Sequence, residues 1–215
     1  MKTITDLSIL YPKTDKRQLG YTYTYDRLFG PIRTSVKKVL EIGVGKGDSL
    51  RMWRDFFPNA SIYGWDISQH WIFQEPRITT KIVNHDDRDK VHSSLVSIGS
   101  DIDIVIDDGS HNMDSQQQLL AWCFPFVSAG GIYVIEDLHT SMIEGQYGVK
   151  DGRLNTTYKM LTEFQSTRDF MSEYMSAEER EYIKRTTGEI MICGQPAVAY
   201  PPFSSFVFSI IFKSV

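Results

Sequence analysis

Val39-Leu40-Glu41-Ile42-Gly43-Val44-Gly45-Lys46-Gly47-Asp48-Ser49 carries a short apolar stretch straight into a glycine-rich turn, and Ser49, Leu50, Trp53, Phe56 and Phe57 then follow at helical spacing. Strand, glycine turn and helix in that order form a nucleotide-type βα unit, because glycines let the backbone turn tightly and approach a ligand closely. The spacing separates cofactor classes. A dinucleotide fingerprint needs G-x-G-x-x-G, whereas Asp48 stands where its third glycine would be and the pattern reads acidic-x-G-x-G-x-G. A carboxylate there would repel a pyrophosphate at a helix N-terminus, a position that favours anions. The turn therefore suits a cofactor without phosphate.

The same rhythm repeats on the C-terminal side. Residues 61–65 read as a second strand, 81–84 as a third, and 89–98 as a helix before a strand at 102–106; a helix over 116–126 then precedes a strand at 131–135, with Ala129-Gly130-Gly131 as the turn between them. Strands alternating with helices predict an α/β fold with a mostly parallel central sheet and helices on both faces. Both ends of the chain depart from the rhythm. Tyr21, Tyr25, Leu28, Phe29 and Ile32 repeat along one helix face that stops near Pro31. Residues 139–154, polar and glycine-containing, read as a mobile loop over the strand ends. With the helix at about 15–35, this loop is the expected lid on the acceptor side. Helical patterns follow at 157–164 and 177–185, and residues 190–193 and 206–213, separated by a Pro-rich stretch at 195–202, predict a C-terminal antiparallel hairpin. With no repeat or linker, residues 1–215 are expected to form one domain.

Acidic residues punctuate these strand ends, where ligands bind in an open α/β sheet. Asp66 directly follows the second strand, roughly twenty residues after the glycines, where a carboxylate accepts hydrogen bonds from ribose hydroxyls. Asp86-Asp87 follows the third, placed for an adenine amino group. Asp107-Asp108-Gly109-Ser110-His111 and Glu136-Asp137 close the next two strands, so that carboxylates and a histidine converge. Strand alternation turns Asp107 away from Asp108, toward either the cofactor or the loop backbone. Each group has a plainer reading alone: Asp-Asp-Gly as a turn, His111 as a helix cap, Glu136-Asp137 as a solvated rim. Their joint occurrence behind buried strands favours a site. Glu41, Gly43, Gly45, Ser49, Asp66, Asp86, Asp87 and Asp107 together resemble the S-adenosylmethionine site of class I methyltransferases, which implies their Rossmann-like fold.

A longer run narrows the resemblance. Asp107-Asp108-Gly109-Ser110-His111, Gln116, Phe124-Pro125 and Gly130-Gly131-Ile132-Tyr133-Val134-Ile135-Glu136-Asp137-Leu138-His139-Thr140-Ser141 are similar to the macrocin and mycinamicin type of sugar O-methyltransferase, and Thr14-Asp15-Lys16 with Tyr21, Tyr25 and Phe29 resembles that family's opening helix. The resemblance covers residues 15–141 and thins beyond them. One departure is Leu19-Gly20 before Tyr21, where relatives often carry a histidine. The resemblance implies methyl transfer to a deoxysugar hydroxyl beside bound Mg2+. It assigns Asp108, Glu136 and Asp137 as metal ligands and His111 as the base. The chemistry is coherent: a sugar hydroxyl is a poor nucleophile at neutral pH and needs a base, an acidifying metal, or both, and carboxylates suit a hard octahedral ion.

Composition bounds the alternatives. A formal net charge of −4 gives no electrostatic footprint for nucleic acid. The apolar run at 206–212 is too short to span a bilayer, and residues 1–10 lack a signal-peptide pattern. Two cysteines make no disulfide framework, so a reducing, cytoplasmic setting is expected. Relatives are often oligomers, which leaves a homo-oligomer open. Trp53, Phe56, Phe57 and Trp122 read as core, and His70, His85 and His92 as surface residues; His139 and Tyr147 are weaker candidates for contact with the acceptor. Two rival functions remain at this stage. One is metal-dependent methylation of a catechol or other phenol, and the other is a non-catalytic cofactor-binding subunit.

Overall fold

The computed structural model describes residues 1–196 and 205–215, so most of the Pro-rich stretch at 195–202 lies outside the described residues. The strands are β1 (Lys38–Ile42), β2 (Ser61–Asp66), β3 (Gln74–Glu75), β4 (Ile78–Ile82), β5 (Ile102–Asp107), β6 (Val127–Ile135), β7 (Thr187–Pro196) and β8 (Ser205–Lys213). The helices are α1 (Ile4–Leu10), α2 (Tyr21–Phe29), α3 (Asp48–Phe56), α4 (Arg88–Ile98), α5 (Met113–Cys123), α6 (Thr157–Thr167) and α7 (Ala177–Thr186). The strands form one sheet in the order β3-β4-β2-β1-β5-β6-β8-β7. From β4 to β6 the pairing is parallel. The C-terminal β7 and β8 pair antiparallel, as the sequence predicts, and β8 joins the sheet antiparallel to β6. After β1 the chain builds outward to β2 and β4, then crosses back to place β5 on the other side of β1. That reversal is the switch point at which a ligand crevice opens above the strand ends.

Alternation along each strand divides the core into two layers. Val39, Ile104, Ile106, Ile132 and Val134 pack with Tyr21, Tyr25, Trp53 and Phe56 from α2 and α3. Leu40, Ile42, Val105, Tyr133 and Ile135 pack with Val91, Leu95, Leu119, Leu161 and Ile183 on the opposite face. Trp53, Phe56 and Phe57 are core, as expected, while Trp122 is only half-buried against it.

Three elements differ from the sequence reading. The third parallel strand spans Ile78–Ile82 rather than 81–84. Its inward position at Thr80 is polar and buried, with the hydroxyl bonded to Phe73, so the apolar signal is weak there. β6 starts at Val127, and the Ala129-Gly130-Gly131 turn is a register irregularity inside it. α1 was not expected; it is short and held by a reciprocal Thr3–Asp6 capping box, while Asp26 on α2 accepts from Thr5 N at 3.2 Å. Residues 139–154 contain two short 3-10 turns, Leu138–Met142 and Asp151–Arg153, around the buried Thr140, Ser141 and Val149.

One glycine of the first turn is obligatory. Gly43 has φ +96°, and a Cβ there would lie 2.0 Å from the Asp108 carbonyl oxygen. Gly43→Ala combines left-handed strain with a backbone clash, so it should cost about 3 kcal/mol or more. In a chain of this size that is a fall in Tm of roughly 6–12 °C, measurable by calorimetry. An unchanged Tm would mean that the turn repacks freely.

Candidate active site

The alternation that builds the core also builds the site. Glu41, Asp108 and Glu136 continue the sheet face of Val39, Ile106 and Val134, at the carboxyl ends of the adjacent strands β1, β5 and β6. Grouped carboxylates in a low dielectric require a counter-charge. Lys16, wholly buried, supplies it: Nζ lies 2.7 Å from Asp108 Oδ2, 2.7 Å from Glu136 Oε2 and 3.1 Å from Glu41 Oε1. Burial disfavours the Lys16 charge, but Asp108, Glu136 and Glu41 outweigh it and hold its pKa well above the ordinary value. Burial pushes both Glu41 and Glu136 up, with Lys16 opposing. The second oxygen of Glu41 accepts from Trp53 Nε1 at 3.1 Å.

Helix α2 lays its tyrosines over this group. Tyr25 donates to Glu136 Oε1 at 2.5 Å, and Tyr21, one turn earlier, donates to Asp137 Oδ1 at 2.6 Å. The residues Tyr21, Tyr25 and Phe29 recur every four positions and are all fully buried, so one face both packs and positions carboxylates.

Asp137 breaks the strand alternation with φ +55°, and His111 has φ +59°. Left-handed backbone at such residues concentrates at functional sites. Here it turns His111 Nε2 to 3.4 Å from Asp137 Oδ2. Ligating atoms of Asp108, His111 and Asp137 lie within 4.8 Å of one another. Glu136 lies deeper, both oxygens engaged by Lys16 and Tyr25. His139 Nδ1 stands 3.7 Å from Asp137 Oδ1, and burial holds its pKa below the ordinary value against the pull of Asp137.

A cavity of about 330 Å³ adjoins this cluster, lined by the 43–49 turn, Asp66, Asp108, Gly109 and the segment Lys13, Thr14 and Asp15. Asp66 Oδ2 accepts from Val44 N at 3.0 Å and Gly45 N at 3.2 Å, which fixes the turn. A Cβ on Gly45 would meet nothing within 4 Å, so the backbone there faces open space. Of the residues expected around a cofactor, Gly43, Gly45, Ser49 and Asp66 line this cavity. Glu41 lies beneath it with Lys16. The next two acids stand apart from its walls: Asp86 accepts from the Ser115 hydroxyl at 2.8 Å, and Asp87 caps α4 by accepting from Lys90 N at 3.0 Å.

Asp107 points to the opposite face, as alternation requires, and is buried beside Tyr133 and Cys123. Burial, with the Asp108 charge adding, pushes its carboxyl up to about 8. The folded chain then holds a proton that the unfolded chain releases near 3.8. Stability should fall as pH rises from about 4 to about 8 and level off above. Asp107→Asn cannot ionise and should lack this slope, so its advantage over the unaltered chain grows toward about pH 8.5 in urea titrations. Parallel profiles for the two proteins would contradict the assignment.

Residues 40–138, the stretch from β1 to just past Asp137, match a methyltransferase domain family. Across that stretch the chain is similar to sugar O-methyltransferases of the macrocin and mycinamicin type. The chain is 37% identical over 148 residues to 8-demethyl-8-alpha-L-rhamnosyl tetracenomycin-C 2'-O-methyltransferase of Streptomyces olivaceus, covering 66% of this chain and 39% of that protein. It is 41% identical over 138 residues to demethylmacrocin O-methyltransferase of Streptomyces fradiae, covering 61% of this chain and 35% of that one. A solved mycinamycin-pathway methyltransferase, MycE, in complex with Mg, SAH and mycinamycin VI, superposes with a TM-score of 0.77 at 30% identity, covering 99% of this chain and 55% of that structure. The chain thus spans about half the length of that relative, and the match takes in little more than a third of the curated ones. The chain has the class I methyltransferase fold expected from sequence, and no helix among the described residues is long and apolar enough to cross a membrane.

The sequence reading missed the part played by Lys16 and by the hydroxyls of Tyr21 and Tyr25. Alternation could have signalled a buried cation, since it puts Glu41, Asp108 and Glu136 on one face. Nothing in the local sequence marks Lys16 as its source.

Proposed function

We propose that this methyltransferase domain transfers a methyl group from S-adenosylmethionine to a sugar hydroxyl of a glycoside or glycan, with Mg2+ beside the acceptor. The observation that carries this reading is the clustering of Asp108, His111 and Asp137 beside a polar cavity at the sheet's switch point, with Asp108 itself in the cavity wall.

The residues fit both groups. A cavity of about 330 Å³ is at the lower end of small-molecule sites. The open backbone at Gly45 and the carboxylate of Asp66 suit a cofactor that presents ribose hydroxyls and no phosphate. Asp86, Asp87 and Asp107 remain candidates for its outer contacts. For the ion, Asp108, Glu136 and Asp137 form a hard, all-carboxylate set. Glu136, whose oxygens accept from Lys16 and Tyr25, would retain acceptor capacity for the ion. Bound there, Mg2+ would lower the pKa of an acceptor hydroxyl.

Within that arrangement His111, beside Asp108 and Asp137, would take the acceptor's proton on its imidazole. Asp137, facing Nε2, stabilises the imidazolium that forms. The glycine turn and Asp66 would hold the donor, whose sulfonium would supply the methyl group to the acceptor oxygen and leave as the thioether. His139, beside Asp137, is a further candidate to orient the acceptor. Two free cysteines, one of them buried, are consistent with a reducing cytoplasm.

Acceptor profiling tests the reading. The purified chain, incubated with S-adenosylmethionine and Mg2+, should methylate deoxyhexose glycosides in preference to catechols. Preference for catechols would reassign the acceptor class, and binding without any methylated product would leave only a cofactor-binding module.

A further inference from the structure

Lys16 is a wholly buried ammonium at the junction of the two halves of the site. It follows directly on Lys13, Thr14 and Asp15, which wall the cavity. That short strap is tied at both ends. Lys13 N donates to Asp48 Oδ2 at 2.9 Å, at the start of α3, and Lys16 reaches the ends of β1, β5 and β6. The carboxylate of Asp108 meets the strap, lines the cavity and belongs to the cluster with His111 and Asp137. Holding Oδ2 of Asp108, Lys16 fixes the rotation of that carboxylate and so the direction of its other oxygen. A ligand that presses on the strap from the cavity therefore acts on the aim of Asp108, and a cation drawing on Asp108 acts on the strap.

We propose that Lys16 is a positioning residue that couples cofactor occupancy of the cavity to cation occupancy at Asp108. The inference rests on the proposed function and adds to it a thermodynamic link between the two ligands. Such coupling is reciprocal: whatever factor the cofactor lends to the cation's affinity, the cation lends to the cofactor's.

The test uses S-adenosylhomocysteine and Mn2+ as probes, with free Mn2+ read by electron paramagnetic resonance. In the unaltered chain, S-adenosylhomocysteine should lower the Kd for Mn2+ about fivefold or more. In Lys16→Met each probe should still bind alone, while the ratio of the two Mn2+ affinities falls to about one. Lys16→Arg keeps the charge and should restore part of the coupling. A purely structural lysine would change both affinities or the stability without changing the ratio, so equal ratios in the unaltered chain and Lys16→Met overturn the proposal. Should Lys16→Met fail to fold, hydrogen exchange on the unaltered chain decides instead. Mg2+ alone should slow exchange in residues 11–20, and protection confined to residues 107–113 and 136–142 overturns the proposal. Binding of both probes without coupling removes the role of Lys16 alone. Binding of neither removes the methyl-transfer reading with it.

Discussion

Asp108→Ala should lower turnover by about 10³ or more, equivalent to roughly 4 kcal/mol of lost transition-state stabilisation, while S-adenosylhomocysteine still binds. Among the described carboxylates, Asp108 both lines the cavity and belongs to the cluster with His111 and Asp137. Its removal takes a hard ligand from the ion and leaves Lys16 with Glu41 and Glu136, which keep that ammonium paired. Alanine preserves the backbone carbonyl against which Gly43 is packed, so the glycine turn and Asp66 should keep their shape. Calorimetry with S-adenosylhomocysteine and a Mg2+ titration of activity separate the two effects. Cofactor affinity should change little, and any residual activity should have lost its Mg2+ dependence. Loss of cofactor binding of the same size as the loss of turnover would instead place Asp108 in the cofactor site.

His111→Ala should reduce turnover by about 10² to 10⁴, the range of a positioned general base. The expected signature differs from that of Asp108. Mg2+ should still support the remaining activity, and the rate should regain ground as pH rises, because solvent hydroxide can take the proton that the imidazole no longer accepts. The left-handed backbone at residue 111 tolerates alanine less well than glycine. His111→Gly is therefore the control for strain: both variants should be equally slow. If the glycine variant recovered the rate, the effect would belong to backbone geometry rather than to the imidazole.

The fold was legible where periodicity and turn chemistry agree. The strand running into Gly43, Gly45 and Gly47 identifies the first βα unit, and acids after successive strands locate the crevice, because neither signal depends on distant residues. Alternation alone sends Asp107 and Asp108 to opposite faces, and the structure buries the first beside Tyr133 while the second faces Lys16. The reading weakened where tertiary contacts override local pattern. The strand Ile78–Ile82 hides behind the polar Thr80. Lys16 was legible only as part of the Thr14-Asp15-Lys16 motif, and its ionic role was not, since its partners are 25, 92 and 120 residues away. Tyr21 and Tyr25 were readable as a packed helix face, but their hydroxyl partners sit more than 100 residues further on.

Methyl transfer assisted by a divalent ion at the ends of β1, β5 and β6 is the central claim, and one measurement addresses it most directly. The purified chain is incubated with isotopically labelled S-adenosylmethionine and a deoxyhexose glycoside, with Mg2+ or with excess chelator, and products are read by mass spectrometry. The account predicts a labelled methyl group on the sugar, formed with Mg2+ and lost with chelator. Equal methylation in excess chelator would contradict it.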